Sequence, residues 1–353
     1  MGRRHLLVAL IASLLMTYPA AAQRQRGMRE RPPEPTGAAP AAESQPTTQE
    51  SNERPGRDNL SVTEGQVTVH GQPLRYKATA GTLALKDEAG KPLADMFFVA
   101  YQKQPASSDP SSRPITFVFN GGPGAAAVWL HLGVAGPRRI ALNDVGGPPA
   151  PPYHLVDNDD TWLTATDLVF IDPVGTGFSR AAAGQKPEQF YGVEEDIRSV
   201  GQFIRLYTTR YQRWLSPKFL AGESYGTTRA SALSQYLLDN GISLNGIILI
   251  SCVLNFQTIS VGNGNDLPYV LYLPTYTALA WYHKKLPADL QADLTKALNE
   301  SEGWALNGYM AALALGSQLP QADRETAVKK LARLTGLSEN YVDRANLRVD
   351  PSE

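Results

Sequence analysis

Residues 219–240 read FLAGESYGTTRASALSQYLLDN, and this segment is the most informative about the fold. Its first three residues, 219–221, form a short apolar run that is typical of a buried strand. Residues 227–240 carry apolar side chains at helical spacing. Between the two lies the pentapeptide Gly-Glu-Ser-Tyr-Gly at 222–226, which has the form G-x-S-x-G. We predict a strand, a sharp turn that needs small residues, and a helix, with Ser224 at the tip of the turn.

The same kind of buried strand recurs along the middle of the chain. Three other continuous apolar runs lie at 115–119, 168–171 and 247–250, and they are typical of strands buried on both faces of a largely parallel sheet. An amphipathic helical pattern at 193–211 has acidic residues near its start, where the helix dipole favours them. This alternation predicts an α/β fold in which Ser224 occupies the nucleophile elbow of the α/β-hydrolases. A serine in an ordinary tight turn is the alternative.

Composition divides the rest of the chain into segments. Residues 1–22 run from basic residues through a short apolar stretch to three alanines, which predicts a signal peptide cleaved after Ala22 and a secreted or periplasmic protein. An uncleaved membrane anchor is the alternative. Residues 23–58 are rich in Pro, Gln, Ser and Glu and predict a disordered linker. We expect an incomplete α/β-hydrolase core over 59–255, opened by antiparallel hairpins, and a helical cap or insertion over 256–353.

The composition also excludes several classes of protein. The 353 residues carry 33 Lys and Arg against 34 Asp and Glu, so we expect no nucleic-acid partner. The single cysteine, Cys252, cannot form an intramolecular disulfide. The sequence has no metal, nucleotide or flavin motif, so we expect no cofactor. No segment after the signal peptide has the apolar length of a membrane span, so we expect no stable membrane insertion.

A serine nucleophile needs amide donors that stabilise an oxyanion. The backbone N–H of Tyr225 begins the predicted helix beside Ser224 and is one candidate. The segment Asn-Gly-Gly-Pro-Gly at 120–124 directly follows the predicted strand 115–119. Paired glycines let a backbone approach a reacting carbonyl closely, so we assign the N–H of Gly122 as the second donor. A plain glycine turn is the alternative.

Three blocks of sequence, in this order, resemble the signature blocks of the serine carboxypeptidases, the S10 peptidases. They are the glycine segment 120–124, the segment FIDPVGTGFS at 170–179, and the pentapeptide 222–226. The resemblance implies an α/β-hydrolase fold with a helical insertion. It also implies an acyl-enzyme mechanism on Ser224 and the release of C-terminal residues from peptides.

The resemblance also implies roles for single residues. Ser224 would be the nucleophile, and Gly122 and Tyr225 would supply the oxyanion hole. Three residues would bind the terminal carboxylate of the peptide substrate: Asn120, Gly121 and Glu223. One of these groups, the Glu223 carboxyl, would be partly protonated so that it can donate a hydrogen bond.

Several positions depart from the family pattern. Val118 stands where the family usually has Trp, and Val134 where it often has a second carboxylate-binding Glu. Ala125 replaces a common Cys, so the family's disulfides are absent, and the family's Asp-Gln-Pro-Val is shortened to Asp-Pro-Val at 172–174. Two alternatives therefore stay open. One is an esterase or acyltransferase of the same fold, and the other is a catalytically inactive module that binds a partner.

The remaining members of a catalytic triad are not evident in this sequence. An α/β-hydrolase orders its triad as Ser, then Asp, then His. The only histidine after Ser224 is His283, which lies in an aromatic helix pattern with no intervening strand, and we interpret it as a core or lid residue. His131 and His154 precede the serine and have no elbow context. We expect the Asp and His beyond residue 353, in a longer protein of which this sequence is a fragment, inactive alone.

Overall fold

The computed structural model describes residues 59–143 and 146–350. The predicted signal peptide and linker, 1–22 and 23–58, lie outside these residues. The chain divides into two compact units, the first ending at Cys252 and the second beginning at Val253. The boundary that we predict from composition follows residue 255.

The first unit contains ten strands in the part of the chain that the structure describes. In chain order they are β1 (Asn59–Val69), β2 (Gln72–Lys86), β3 (Pro92–Gln104), β4 (Ile115–Phe119), β5 (Arg138–Ile140), β6 (Leu155–Asp157), β7 (Asp167–Ile171), β8 (Arg180–Ala181), β9 (Lys218–Glu223) and β10 (Gly246–Ile250). Eight of them form one mixed sheet in the order β1-β2-β3-β7-β4-β9-β10, with β8 paired to β3. The other two, β5 and β6, pair with each other.

The first three strands form the antiparallel hairpins that the alternating sequence predicts. β1 pairs with β2, and β2 with β3. The first turn consists of His70 and Gly71, which both have positive φ, 46° and 79°. Two positive φ angles in a two-residue turn match the right-handed twist of the strands that it joins. β3 then pairs antiparallel with β7, which attaches the hairpins to the rest of the sheet.

The sheet continues with four parallel strands, in the order β7-β4-β9-β10. All residues of β4 and β7 are buried, as their continuous apolar runs predict. The prediction of burial on both faces is wrong for β10, where Ile247 and Ile248 are each 40% exposed. The physical reason is its place at the end of the strand order, since β10 pairs with β9 alone among the described strands.

Three α-helices belong to the described part of the first unit: α1 (Val128–Leu130), α2 (Val193–Arg210) and α3 (Tyr225–Asp239). The prediction of a helix over 193–211 is confirmed. The apolar run at 125–132 has the spacing of a helix, but only three of its residues are α-helical and a π turn, His131–Ala135, follows them. Two backbone N–H groups of this segment donate to distant side chains. The N–H of Ala127 donates to the Asp172 carboxylate, and the N–H of Leu130 donates to the Asn120 side-chain oxygen.

Apolar side chains pack on both faces of this sheet. One cluster includes Phe98, Phe117 and Phe203, together with the buried side of α2 and α3. Another cluster includes Leu130 and Phe170. Burial of this area on two faces is the main force that holds the carboxyl ends of β4 and β9 in place. In the register of these two strands, Phe119 lies opposite Gly222.

The second unit is helical in the residues that the structure describes. Its α-helices are α4 (Leu267–Tyr282), α5 (Ala288–Gln291), α6 (Leu294–Trp304), α7 (Met310–Leu315), α8 (Gln321–Thr335) and α9 (Glu339–Arg344). The sequence pattern at 288–298 suggests one helix, but the Asp293 side chain accepts from the N–H groups of Thr295 and Lys296 and starts a new one there. The apolar core of the second unit includes Leu273, Tyr309 and Leu331. Among the described residues, no helix has the length and apolar character needed to cross a membrane.

Candidate active site

The strand, turn and helix predicted around Ser224 are present. β9 ends at Glu223 and α3 begins at Tyr225. Ser224 lies between them with φ 57° and ψ −123°, a backbone conformation that non-glycine residues rarely adopt. A Cβ atom on Gly222 would overlap the carbonyl oxygen of Gly226. Gly222 is therefore required because the chain doubles back on itself within five residues. A Cβ atom on Gly226 would instead crowd the carbonyl oxygens of Phe119 and Asn120, at 3.0 and 3.1 Å.

Backbone hydrogen bonds hold the tight turn in this conformation. The N–H of Ser224 donates to the carbonyl of Ile250 at 2.9 Å. The carbonyl of Ser224 accepts from both the N–H and the hydroxyl of Thr227, at 2.8 and 2.7 Å. These bonds are made to β10 and to the first turn of α3. The strained residue is thus held by two regular elements.

The glycine segment after β4 packs directly against this turn. A Cβ atom on Gly121 would lie 2.5 Å from the backbone nitrogen of Tyr225 and 2.6 Å from the carbonyl oxygen of Glu223. Only a residue without a side chain permits that approach. Gly122 has φ 104°, so it also adopts a backbone conformation that favours glycine. The structure therefore brings together the two segments that carry the predicted oxyanion donors, Gly122 and Tyr225.

The two side chains predicted to bind a carboxylate are in contact. The Asn120 amide nitrogen Nδ2 donates to Glu223 Oε2 at 3.0 Å. Asn120 is 1% exposed, and its Oδ1 accepts from the N–H of Leu130 at 3.0 Å. Asn120 directly follows β4 and Glu223 ends β9, so each is the next residue after the register pair Phe119 and Gly222. The amide is therefore held from both of its ends.

A buried arginine that contacts the backbone of this site was not predicted from the sequence. Arg229 is 2% exposed, and its Nε donates to Asp196 Oδ2 at 2.8 Å. Its Nη1 donates to the backbone carbonyl of Asn120 at 2.7 Å. The sequence does contain a signal, because Arg229 falls in line with Leu233 and Leu237 on the apolar face of α3. A charged residue in an apolar stripe needs a buried partner.

Asp172, in the signature block 170–179, is hydrogen-bonded to the segment that follows the glycine block. Its carboxylate accepts from the N–H of Ala127 at 2.8 Å and from the N–H of Phe178 at 3.4 Å. Burial raises the pKa of Asp172, and the two amide hydrogen bonds oppose that rise. The carboxylate thus connects the segment after the glycine loop to the loop that follows β7.

The histidines of the described residues occupy structural or exposed positions. His131 shares a 2.8 Å hydrogen bond between its Nε2 and the hydroxyl of Tyr101, and its ring stacks on Phe170. His70 and His154 are exposed, the first in a hairpin turn. His283 follows α4 in the second unit and is also exposed. Of the two interpretations, core or lid residue, the core one is therefore wrong. His283 is exposed because it lies at the C-terminal end of α4, where the helix faces solvent.

The environment of His131 predicts a pH dependence of stability. Burial lowers the pKa of His131 from 6.5 to about 4. The unfolded chain therefore binds a proton first as the pH falls, so this contribution is complete above pH 6.5 and is lost towards pH 4. We expect a loss of about 2 to 3 kcal/mol in unfolding free energy between neutral pH and pH 4.5 from this group.

Denaturant unfolding of His131→Gln checks this expectation. Glutamine can bond to the Tyr101 hydroxyl but does not titrate, so the variant should lose less stability on acidification than the unmodified chain. The exposed His154→Gln is the matched control and should keep the original pH dependence. Parallel pH curves for His131→Gln and the unmodified chain would contradict the assignment.

A cavity of about 290 Å³ lies beside the turn in the first unit. Its walls include Gly124, Val174 and Tyr191, and both Tyr225 and Arg229 line it as well. The residue that follows the candidate nucleophile, Tyr225, therefore lines this cavity.

Comparison with known proteins connects this geometry to a family. The family model described as serine carboxypeptidase, peptidase S10, matches residues 69–348. Among curated relatives, serine carboxypeptidase-like 50 of Arabidopsis thaliana is 26% identical over 62% of this chain and 45% of its own length. The venom serine carboxypeptidase of Apis mellifera is 28% identical over 51% of this chain and 36% of its own length. The chain spans less than half the length of these relatives.

Solved structures that resemble the chain include hydrolases of low similarity. The rice cell wall degrading esterase LipA from Xanthomonas oryzae is 15% identical with a TM-score of 0.33, covering 67% of this chain and 62% of that one. The peroxisomal alpha-beta-hydrolase Lpx1 from Saccharomyces cerevisiae is 13% identical with a TM-score of 0.29, covering 64% and 57%. The family model extends over most of the described sequence, from the end of β1 to beyond α9. The chain has an α/β-hydrolase fold and belongs to the serine carboxypeptidase family, peptidase S10, a family of serine hydrolases.

Proposed function

We propose that this chain carries the nucleophile and the carboxylate-binding site of a serine-type carboxypeptidase. The observation that carries the proposal is the contact of Asn120 with Glu223 next to the turn at Ser224. A paired amide and carboxyl group beside a strained serine suits a substrate that ends in a free carboxylate. The substrate class is therefore peptides with a free C-terminus.

The chemistry begins with attack of the Ser224 hydroxyl on the carbonyl carbon of the last peptide bond. A general base takes the serine proton, and the negative charge that develops on the carbonyl oxygen is stabilised by the N–H groups of Gly122 and Tyr225. Collapse of the tetrahedral intermediate breaks the C–N bond, and the protonated base returns the proton to the leaving amine. Water then hydrolyses the acyl-enzyme by the same steps.

The terminal carboxylate would be held on the other side of the scissile bond. Asn120 offers an amide donor and Gly121 a backbone N–H. A carboxyl group can donate a hydrogen bond only when it carries a proton. A proton between the Glu223 carboxyl group and the substrate carboxylate would therefore join these two groups.

The proposed reaction also needs a general base, and the described histidines occupy other environments. His131 is engaged by Tyr101 and Phe170, while His283 is an exposed residue of the other unit. We also propose that the protein is exported, on the basis of the basic and apolar pattern of residues 1–22.

An esterase or acyltransferase is the second candidate function. Val118 is completely buried in β4 and Val134 carries no polar atom, so neither can supply the groups that the family often places there. Fewer carboxylate-binding groups would suit an acyl substrate without a free C-terminus. The same nucleophile and oxyanion donors would serve either reaction.

A pair of matched substrates decides between the two functions. We expect the full-length protein to cleave a blocked dipeptide with a free C-terminus about 10 to 100 times faster, in kcat/KM, than the same dipeptide amide. This range corresponds to the loss of one hydrogen bond to a charged group. Glu223→Ala should reduce the preference, whereas Glu64→Ala, an exposed change on β1, should preserve it. Equal rates on both substrates would defeat the carboxypeptidase assignment.

A further inference from the structure

Arg229 is a buried cation whose hydrogen bonds join three separate segments. Its guanidinium lies on α3, and it bonds to Asp196 in the first turn of α2 and to the Asn120 carbonyl at the end of β4. The Asp196 carboxylate is sufficient to neutralise the charge of Arg229. The bond to the Asn120 carbonyl is therefore an additional constraint on the backbone beside the active site.

The planar guanidinium sets the angle between its two partners. Nε and Nη1 lie in one rigid plane, so the positions of Asp196 Oδ2 and the Asn120 carbonyl oxygen are defined together. Aromatic rings hold that plane in place, since the guanidinium carbon lies 5.3 Å from the ring centre of Phe119 and 5.1 Å from that of Tyr225. The Tyr225 hydroxyl also donates to Asp196, at 3.3 Å.

The orientation of the Asn120 carbonyl determines the orientation of the N–H in the same peptide unit. In a trans peptide unit the C=O and the following N–H point in opposite directions and share one plane. The N–H that follows Asn120 belongs to Gly121. A carbonyl held by Arg229 therefore aims the Gly121 N–H away from the arginine, and the glycine itself has no side chain to restrict rotation of this peptide unit.

We propose that Arg229 is a positioning residue that aims the Gly121 N–H at the carboxylate of the substrate. The inference rests on the proposed function, because it requires that Gly121 takes part in carboxylate binding. It predicts that loss of the guanidinium fork weakens binding of free-C-terminus substrates specifically. The acyl chemistry at Ser224 should continue, since that step depends on other donors.

Arg229→Lys tests the proposal because it keeps the buried positive charge for Asp196. A single ammonium lacks the planar fork that serves the aspartate and the Asn120 carbonyl together. We expect KM of the full-length protein for the blocked dipeptide acid to rise about tenfold, with its kcat and the kcat/KM of the amide within about twofold. Thermal unfolding of the same samples reports whether the variant is folded.

Arg213→Lys is the matched control. Arg213 is 8% exposed, pairs with Asp167 at 2.7 Å and donates to the carbonyl of Arg113. These partners lie at the starts of β7 and β4, whereas Asn120 follows the end of β4. Arg213→Lys should leave KM for the acid unchanged. An unchanged KM in Arg229→Lys, equal losses on acid and amide, or the same effect in Arg213→Lys would each overturn the proposal.

Asp196→Asn provides a second test if the lysine variant does not fold. This change keeps Arg229 and its bond to the Asn120 carbonyl, so we expect KM for the acid to stay within about twofold, whereas a tenfold rise would overturn the proposal. The unmodified protein separates this question from the proposed function. If it shows no preference for the acid, both fail together, and if the preference survives in Arg229→Lys, only the positioning role fails.

Discussion

Ser224→Ala is expected to abolish acyl transfer, lowering kcat of the full-length protein roughly a million-fold. The hydroxyl is the group that would form the covalent bond to the substrate, and alanine offers no replacement for it. The backbone should keep its shape, because the hydrogen bonds that hold residue 224 use main-chain atoms. Rates on the dipeptide acid and labelling by a fluorophosphonate probe measure the effect.

Ser234→Ala is the matched control for this loss. Ser234 lies on the same helix, and its hydroxyl donates to the carbonyl of Ser231, away from the turn. It should retain both activity and labelling. Labelling of Ser224→Ala at the original rate would contradict the assignment of the nucleophile. If the unmodified protein is not labelled at all, the interpretation as an inactive binding module gains support instead.

Gly121→Ala is expected to have the second largest effect. A Cβ atom there would approach the backbone nitrogens of Tyr225 and Gly226 to 2.5 and 2.8 Å, and backbone atoms cannot move aside as a flexible side chain can. The glycine loop must therefore separate from the turn at Ser224. We expect kcat/KM to fall about 100- to 1,000-fold, as for loss of an oxyanion donor, and stability to fall by about 1 to 3 kcal/mol.

Gly133→Ala controls for the loss of a glycine as such. Gly133 lies in the π turn after α1, and a Cβ atom on it would meet nothing within 4 Å. Its backbone φ is not positive, so alanine should be accepted with activity and stability almost unchanged. Steady-state kinetics and denaturant unfolding are measured for both variants. Full activity in Gly121→Ala would show that the close approach of the loop does not matter for catalysis.

Local sequence signals were sufficient for much of the architecture. Period-two alternation gives the hairpins of β1, β2 and β3, and a 3.6-residue period gives α2 over Val193–Arg210. The glycine pattern gives the turn at Ser224, because steric overlap forbids larger residues at Gly222. These features depend on neighbours a few residues apart. Helix boundaries were less predictable where distant side chains intervene, as Asp172 does at Ala127.

The chain's own pattern of residues was enough to predict the hairpins, the buried strands and the tight turn, since each depends on short-range geometry. The three signature blocks were identified by their resemblance to a family. Two arrangements required the folded sheet. The contact of Asn120 with Glu223 and the bonds of Arg229 to Asp196 and Asn120 join residues far apart along the chain. Strand order and register bring such groups together, and the cost of burying a charge makes them pair there. No periodicity in the sequence encodes which distant partner a buried polar group will meet.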